Sequence, residues 1–169
     1  NYFQGQHKKS IENLKILLAR DSTNPYYNEL LGEIYFANND YSNAATYQLN
    51  AISYVESIND LYYMMLGNYL LSINDFSKVN ESIYYLKKSL QINSQNAYSW
   101  YLLARAYAQV DKLPLANYAT AERYFLIGER KLSYDFALKA IKNIEENTPE
   151  WYRSIDLIEI LKKEVLKNQ

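Results

Sequence analysis

The sequence predicts an all-α fold: a solenoid of antiparallel helical hairpins, about nine helices in all, coiled as a right-handed superhelix. Three observations carry this. Leu31-Gly32-x-x-Tyr35 returns as Leu66-Gly67-x-x-Leu70 and as Leu103-Ala104-x-x-Tyr107, with steps of 35 and 37 residues between the small residues. Further small residues follow in phase, at Ala44, Ser82 and Ala116 and again at Ala51 and Ser89. Gly32 and Gly67 fall inside helical patterns, where glycine costs about 1 kcal/mol relative to alanine. A residue that weakens its own helix at repeat spacing implies two helices in close approach. Leu31, Tyr35, Leu66, Leu70, Leu103 and Tyr107 then fill the space beside each gap.

Local signals place each element. Residues 1–5, Asn1-Tyr2-Phe3-Gln4-Gly5, resemble the remnant of a cleavable tag and are set apart from fold reasoning. The domain, 6–169, opens inside a helix, as a piece of a longer protein does. Ile11, Leu14, Leu17 and Leu18 form a stripe of helical period, which predicts a leading helix over 7–21. Asn24-Pro25 supplies an N-cap and a first-turn proline for the first full hairpin, about 25–58. Asn38-Asn39-Asp40 stops its first helix, and the second runs from about Tyr41 to Ser57. The second hairpin, about 60–95, has about three extra residues, which are expected in the Asn74–Asn80 connection because a stacked core cannot absorb them. The third, about 97–128, carries Trp100 in its first helix, and Gly128 caps its second. A weaker pair follows over 131–167, with helices at roughly 131–145 and 149–167, the last opened by Thr148 and Pro149, as expected of a terminal capping pair.

The period and the small-residue pattern resemble the tetratricopeptide (TPR) repeat, whose period is about 34 residues. Gln48 and Arg123 depart from it, standing where that repeat has apolar and small residues. The composition narrows the function. A formal net charge of -1 offers no basic field for nucleic acid, and there is no cysteine for a disulfide or thiolate metal site. No apolar run approaches the roughly 20 residues that span a bilayer. The 19 tyrosines accompany abundant Asn, Ile and Lys and read as compositional bias rather than a cofactor site.

One segment is more specific. Trp100-Tyr-Leu-Leu-Ala104-Arg-Ala-Tyr107 is followed by Ala119-Thr-Ala-Glu122-Arg123-Tyr-Phe-Leu-Ile-Gly128 and by Pro149-Glu-Trp151-Tyr-Arg153-Ser-Ile-Asp156. These blocks, with Asn24-Pro25-Tyr26-Tyr27-Asn28-Glu29-Leu30-Leu31-Gly32 upstream, resemble the C-terminal TPR region of bacterial periplasmic zinc metalloproteases of the BepA (YfgC) type. The likeness spans about residues 8–160. It implies a substrate-recruiting or complex-docking domain in the periplasm of a Gram-negative bacterium. Its partners would be unfolded polypeptide, its own N-terminal protease domain and the outer-membrane assembly machinery. The catalytic zinc belongs to that protease domain, so no cofactor is expected in this chain. The alternative is a free-standing TPR adaptor with no associated protease.

No catalytic or metal-binding residue is expected. A zinc peptidase needs two imidazoles one helical turn apart plus a carboxylate base, and the single histidine is His7. For a TPR array, helix geometry predicts a recognition face on the first helix of each hairpin. That face comprises Tyr26, Glu29, Glu33 and Phe36; then Leu61, Met64, Asn68 and Leu71; then Tyr98, Tyr101, Arg105 and Gln109. Met64, Asn68, Tyr98, Tyr101 and Arg105 are expected to be its hot part. Glu29 and Glu33 would repel a peptide carboxylate, which argues against a carboxylate clamp. The aromatic and aliphatic groups suit extended, apolar polypeptide, or a face that the protease domain covers. Trp151, Arg153 and Asp156 have two readings: they dock the protease domain, or they fix the final hairpin against Glu122 and Arg123.

Overall fold

The computed structural model describes residues 2–73 and 75–167, with side chains for 8–73 and 75–164. The tag-like Asn1, Asn74 and the side chain of His7 lie outside the described residues. Among those described there are nine helices: α1 (Tyr2–Arg20), α2 (Pro25–Ala37), α3 (Tyr41–Tyr54), α4 (Asp60–Ser72), α5 (Phe76–Ile92), α6 (Ala97–Gln109), α7 (Leu113–Leu126), α8 (Arg130–Ile141) and α9 (Pro149–Lys167). They follow one another as sequential hairpins.

Side-chain caps explain where these helices begin. The Asn24 Oδ1 accepts from the backbone N–H groups of Tyr26 and Tyr27 at 3.1 and 3.2 Å. Asn96 does the same for Tyr98 and Ser99 at 3.1 and 3.0 Å, and Asn59 for Leu61 at 2.9 Å. Each takes up donors that the first turn leaves orphaned. Helix ends repeat one device. After α7, the Glu129 N–H reaches the Tyr124 carbonyl at 2.9 Å while Gly128, at φ +82°, closes onto Phe125 at 3.2 Å. That pair of bonds is a Schellman motif, which needs a left-handed residue. Asn39 and Asp111 fill the same role after α2 and α6, at φ 62° and 56°. Short polar side chains tolerate that conformation better than others.

Two helices end earlier than their patterns predict. α3 stops at Tyr54 because Val55 adopts an extended backbone (φ -72°, ψ 135°), a conformation that suits its β-branched side chain. α8 stops at Ile141 and gives way to a turn.

The extra residues of the second hairpin are not in its loop. The α4–α5 connection is residues 73–75, as short as 38–40 and 110–112 in the neighbouring hairpins. α5 has 17 residues where α3 and α7 have 14. The insertion is one added N-terminal turn, capped by Asp75, which accepts from the Ser77 N–H at 2.8 Å and the Ser77 hydroxyl at 2.7 Å. Three residues are close to one turn of 3.6, so Ser82 returns to the face that Ala44 and Ala116 occupy. These bonds hold the Asp75 carboxyl below its usual range.

The chain divides into two compact units, residues 1–85 and 86–169. In the first, Leu14, Leu31, Tyr35, Ala44, Ala45, Leu66, Tyr69 and Leu70 form the core. The seam between α2 and α3 is as tight as the mid-helix glycine implies. A Cβ at Gly32 would lie 3.2 Å from the Ala44 carbonyl oxygen and 3.5 Å from the Tyr69 ring. Gln48, fully buried on α3, donates from Nε2 to the Tyr62 carbonyl of α4 at 3.2 Å. The Ser82 hydroxyl donates to the Gly67 carbonyl at 2.6 Å, so a small residue here both permits close approach and makes a hydrogen bond. In the second unit, Ala121, Ala137 and Leu157 are fully buried where α7, α8 and α9 meet. The Ser133 hydroxyl donates to the Ala121 carbonyl at 2.9 Å. Ala104 is only half-buried; Ala116, Ala119 and Ala121 are buried small residues of α7.

Gly32→Leu is expected to lower stability by about 1–3 kcal/mol through overpacking, although leucine is the better helix former. Chemical denaturation checks it; a variant as stable as the parent would mean that the seam opens without cost.

Candidate functional site

In the first unit the expected recognition residues do not share one role. Tyr26 is 68% exposed and stands at a shallow cleft with Pro25, Tyr54, Val55, Glu56 and Ser57. Glu33 is exposed, whereas Glu29 is half-buried and accepts from the Tyr62 hydroxyl at 3.3 Å. Burial, with Glu33 nearby, raises the Glu29 carboxyl above its ordinary value, and the Tyr62 hydrogen bond partly offsets this. Phe36 packs on the core, stacked on Tyr69 at 4.7 Å and tilted against Tyr41 at 5.4 Å. Leu71 is buried and offers nothing to a ligand. Met64 and Asn68 are half-buried on α4.

In the second unit Tyr98, Tyr101 and Arg105 gather, and the structure adds Arg123, Tyr124, Phe136 and Lys139. Tyr98 and Tyr101, nearly one turn apart on α6, stack at 5.7 Å. Arg105 follows one turn later, its guanidinium 5.6 Å from the Tyr101 centroid. From α7, Arg123 approaches the same ring to 4.9 Å and also lies 5.4 Å from the Tyr124 ring. Tyr124 stacks on Phe136 of α8 at 5.6 Å, and Lys139 sits 4.5 Å from that ring. A ladder of alternating rings and cations thus crosses α6, α7 and α8. Such contacts contribute about 0.5–1 kcal/mol each where exposed, and they fix long side chains that would otherwise be free. Tyr98 is 48% exposed, Arg105 is exposed, and Tyr101, Arg123 and Tyr124 are half-buried. The sequence marks Arg123 only as a misfit to the repeat. Its ring contacts explain why a long cation stands at a position that favours a small residue.

Arg153, by contrast, makes a structural contact. Arg153 on α9 donates from Nε to Glu122 Oε1 at 2.7 Å and from Nη2 to Oε2 at 3.2 Å. The Glu122 side chain is only 7% exposed and that of Arg153 35% exposed. This fork-on-fork pair satisfies a carboxylate that would otherwise be very costly to bury. The Glu122 hydrogen bond raises the guanidinium pKa further. Burial, reinforced by the Glu122 charge, keeps the neighbouring Tyr118 phenol neutral well above its usual range. Arg153 therefore ties α9 to α7 and does not pair with Asp156, its neighbour three positions on. Asp156 is exposed and Trp151 half-buried against Tyr152 at 5.0 Å. Of the two readings of Arg153, the contact with Glu122 fits the one that fixes the final hairpin. Trp100 is likewise held locally: its indole N–H donates to the Ser94 carbonyl at 2.9 Å, and its ring meets Tyr118 edge-on at 5.6 Å.

Among the described residues no three acidic or histidine side chains converge as a metal site, and no helix is long and apolar enough to cross a membrane.

Arg153→Ala is expected to destabilise the chain by up to about 3 kcal/mol, the lower end for breaking a buried pair, because Arg153 keeps part of its side chain in water. Thermal melts of the variant and of Asp156→Ala check this. Equal, small losses in both would mean that the pair contributes little.

No family model matches the sequence, and no curated protein does. Solved structures do match. The crystal structure of MamA is similar with a TM-score of 0.68 at 16% identity, over 99% of this chain and 93% of that one. YrrB, described as a TPR protein with an unusual peptide-binding site, matches at 0.66 and 15% identity over 96% of this chain and 81% of its own. TTC0263, a thermophilic TPR protein of Thermus thermophilus, matches at 0.51 and 15% over 93% of each chain. At such identities the likeness speaks for the fold, and the chain has an all-α, TPR-like fold of sequential helical hairpins.

Proposed function

We propose that this chain is a polypeptide-recruiting module without catalytic activity, and that the Tyr98–Tyr101–Arg105–Arg123 cluster is its main contact site. The observation that carries the reading is the kind and placement of these residues. Tyrosine and arginine are the types in which interfaces concentrate binding energy, and here they are pre-ordered by mutual stacking while Tyr98 and Arg105 remain exposed. Pre-ordering lowers the entropy lost on binding. A peptide-binding site described for the similarly folded YrrB is consistent with a TPR surface used in this way.

The finer proposal concerns context. The Ala119–Gly128 and Pro149–Asp156 blocks resemble the periplasmic zinc metalloproteases of the BepA type. On that likeness the module is the client-recruiting or complex-docking part of such a protease in outer-membrane protein assembly and quality control. Zinc would belong to the protease domain alone. Trp151 and the exposed Asp156 are the candidates for contact with that domain, since Arg153 is committed to Glu122. A free-standing adaptor would need only the first, coarser proposal.

Tyr101→Ala should weaken binding of an unfolded outer-membrane barrel protein by about 1–3 kcal/mol, the range for an aromatic anchor, with an unchanged circular dichroism spectrum. Lys142→Glu, a change just after α8, should leave binding intact. The opposite pattern would place the contact site elsewhere.

A further inference from the structure

We infer that the second unit's cluster recognises an acidic segment of extended polypeptide, with Arg105 and Arg123 as its carboxylate readers. This rests on the polypeptide-recruiting reading above and names the chemistry of the ligand. α6 carries Arg105 and no acidic residue, and the only acid on α7 is Glu122, which is buried and taken by Arg153. On α8 the single acid, Asp135, lies 3.5 Å from Lys131. Among the described residues neither Arg105 nor Arg123 has a carboxylate partner; both are held only against tyrosine rings. Residues 86–169 carry thirteen basic and ten acidic side chains, whereas residues 1–85 carry five and nine.

Two guanidinium groups on one ring repel each other, and stacking offsets little of that in water. A peptide carboxylate between them would relieve the repulsion and accept charge-assisted, bidentate hydrogen bonds that a lysine could not supply. The Tyr98 ring, half-exposed beside them, suits an apolar or aromatic side chain next to the acid. Two arginines rather than a basic stripe, in a chain of net charge -1, favour a peptide over a nucleic-acid backbone.

The test uses three labelled peptides of equal length, alternating Phe with Glu, Gln or Lys, and a single-stranded oligothymidylate, each titrated into the whole chain by fluorescence anisotropy. The Glu peptide should bind about ten-fold or more tighter than the Gln peptide, with the advantage shrinking at high salt. Arg105→Gln and Arg123→Gln should each lower Glu-peptide affinity about five-fold or more and Gln-peptide affinity by less, so that the preference for Glu over Gln shrinks. Arg123→Lys, which keeps the charge but loses the planar fork, should recover part of the loss and guards against misfolding. Binding of the Gln or Lys peptide as tight as the Glu peptide, abolished by Tyr101→Ala, would overturn the acidic assignment and leave the recruiting function standing. Glu-peptide binding indifferent to all these substitutions would overturn the site. Tighter binding of the oligonucleotide would overturn the ligand class. A chain that binds neither the peptides nor an unfolded client would remove the recruiting function as well.

Discussion

Close approach of paired helices is the constraint on which the rest of this structure depends. A Cβ at Gly32 would come within 3.2 Å of a backbone oxygen of the facing helix, so the α2–α3 distance is set by an absent side chain. Ala44, Ala51, Ser82, Ser89 and Ala119 extend the rule to α3, α5 and α7, each fully buried. Small residues at a seam forfeit apolar area, and the loss is made up beside it by leucines and tyrosines. Tyr35 stacks on Tyr47 at 5.3 Å, and Tyr69 fills the space against Phe36. Serine adds something alanine cannot. Its hydroxyl reaches a carbonyl or another hydroxyl, as Ser82 does on Gly67 and Ser89 with Ser99 at 2.8 Å.

With the seams closed, charge is sorted by burial. Glu122 is the one acidic residue deep in the second unit among the described residues, and Arg153 is committed to it. Isolated exposed pairs such as Lys78–Glu81 at 2.7 Å contribute little. Arg105 and Arg123 belong to neither class, being stacked on Tyr101 and, among the described residues, without an acidic partner. Residues that satisfy no internal requirement of the fold yet are held in place are where a partner is to be sought.

Much of the fold is legible in the sequence because its signals are local. Asn24 and Thr148 announce helix starts, and Gly128 a helix end, through hydrogen bonds spanning only a few residues. The inserted residues of the second hairpin mislead because a gain of three near Asn74 looks the same whether it lengthens a loop or adds a helical turn. Only Asp75 acting as a cap decides it. Phe36 and Leu71 lie at recognition-face spacing yet go to the core, since periodicity gives a direction and not a depth. The fate of Arg153 depends on a partner 31 residues away. Arg123 is legible only as an anomaly, and its meaning rests on a ring contributed by another helix.

The central claim is that the residues closing the seams and the residues free for recognition are separate sets, the latter centred on Tyr101. A nuclear magnetic resonance titration of the labelled chain with an acidic, aromatic peptide tests it most directly. The account predicts the largest shifts at the Tyr98 and Tyr101 rings and at the Arg105 and Arg123 side-chain N–H groups, with the Arg153 Nε–H resonance unmoved. Shifts concentrated at Tyr26, Glu29 and Glu33, with the Tyr101 ring silent, would contradict it.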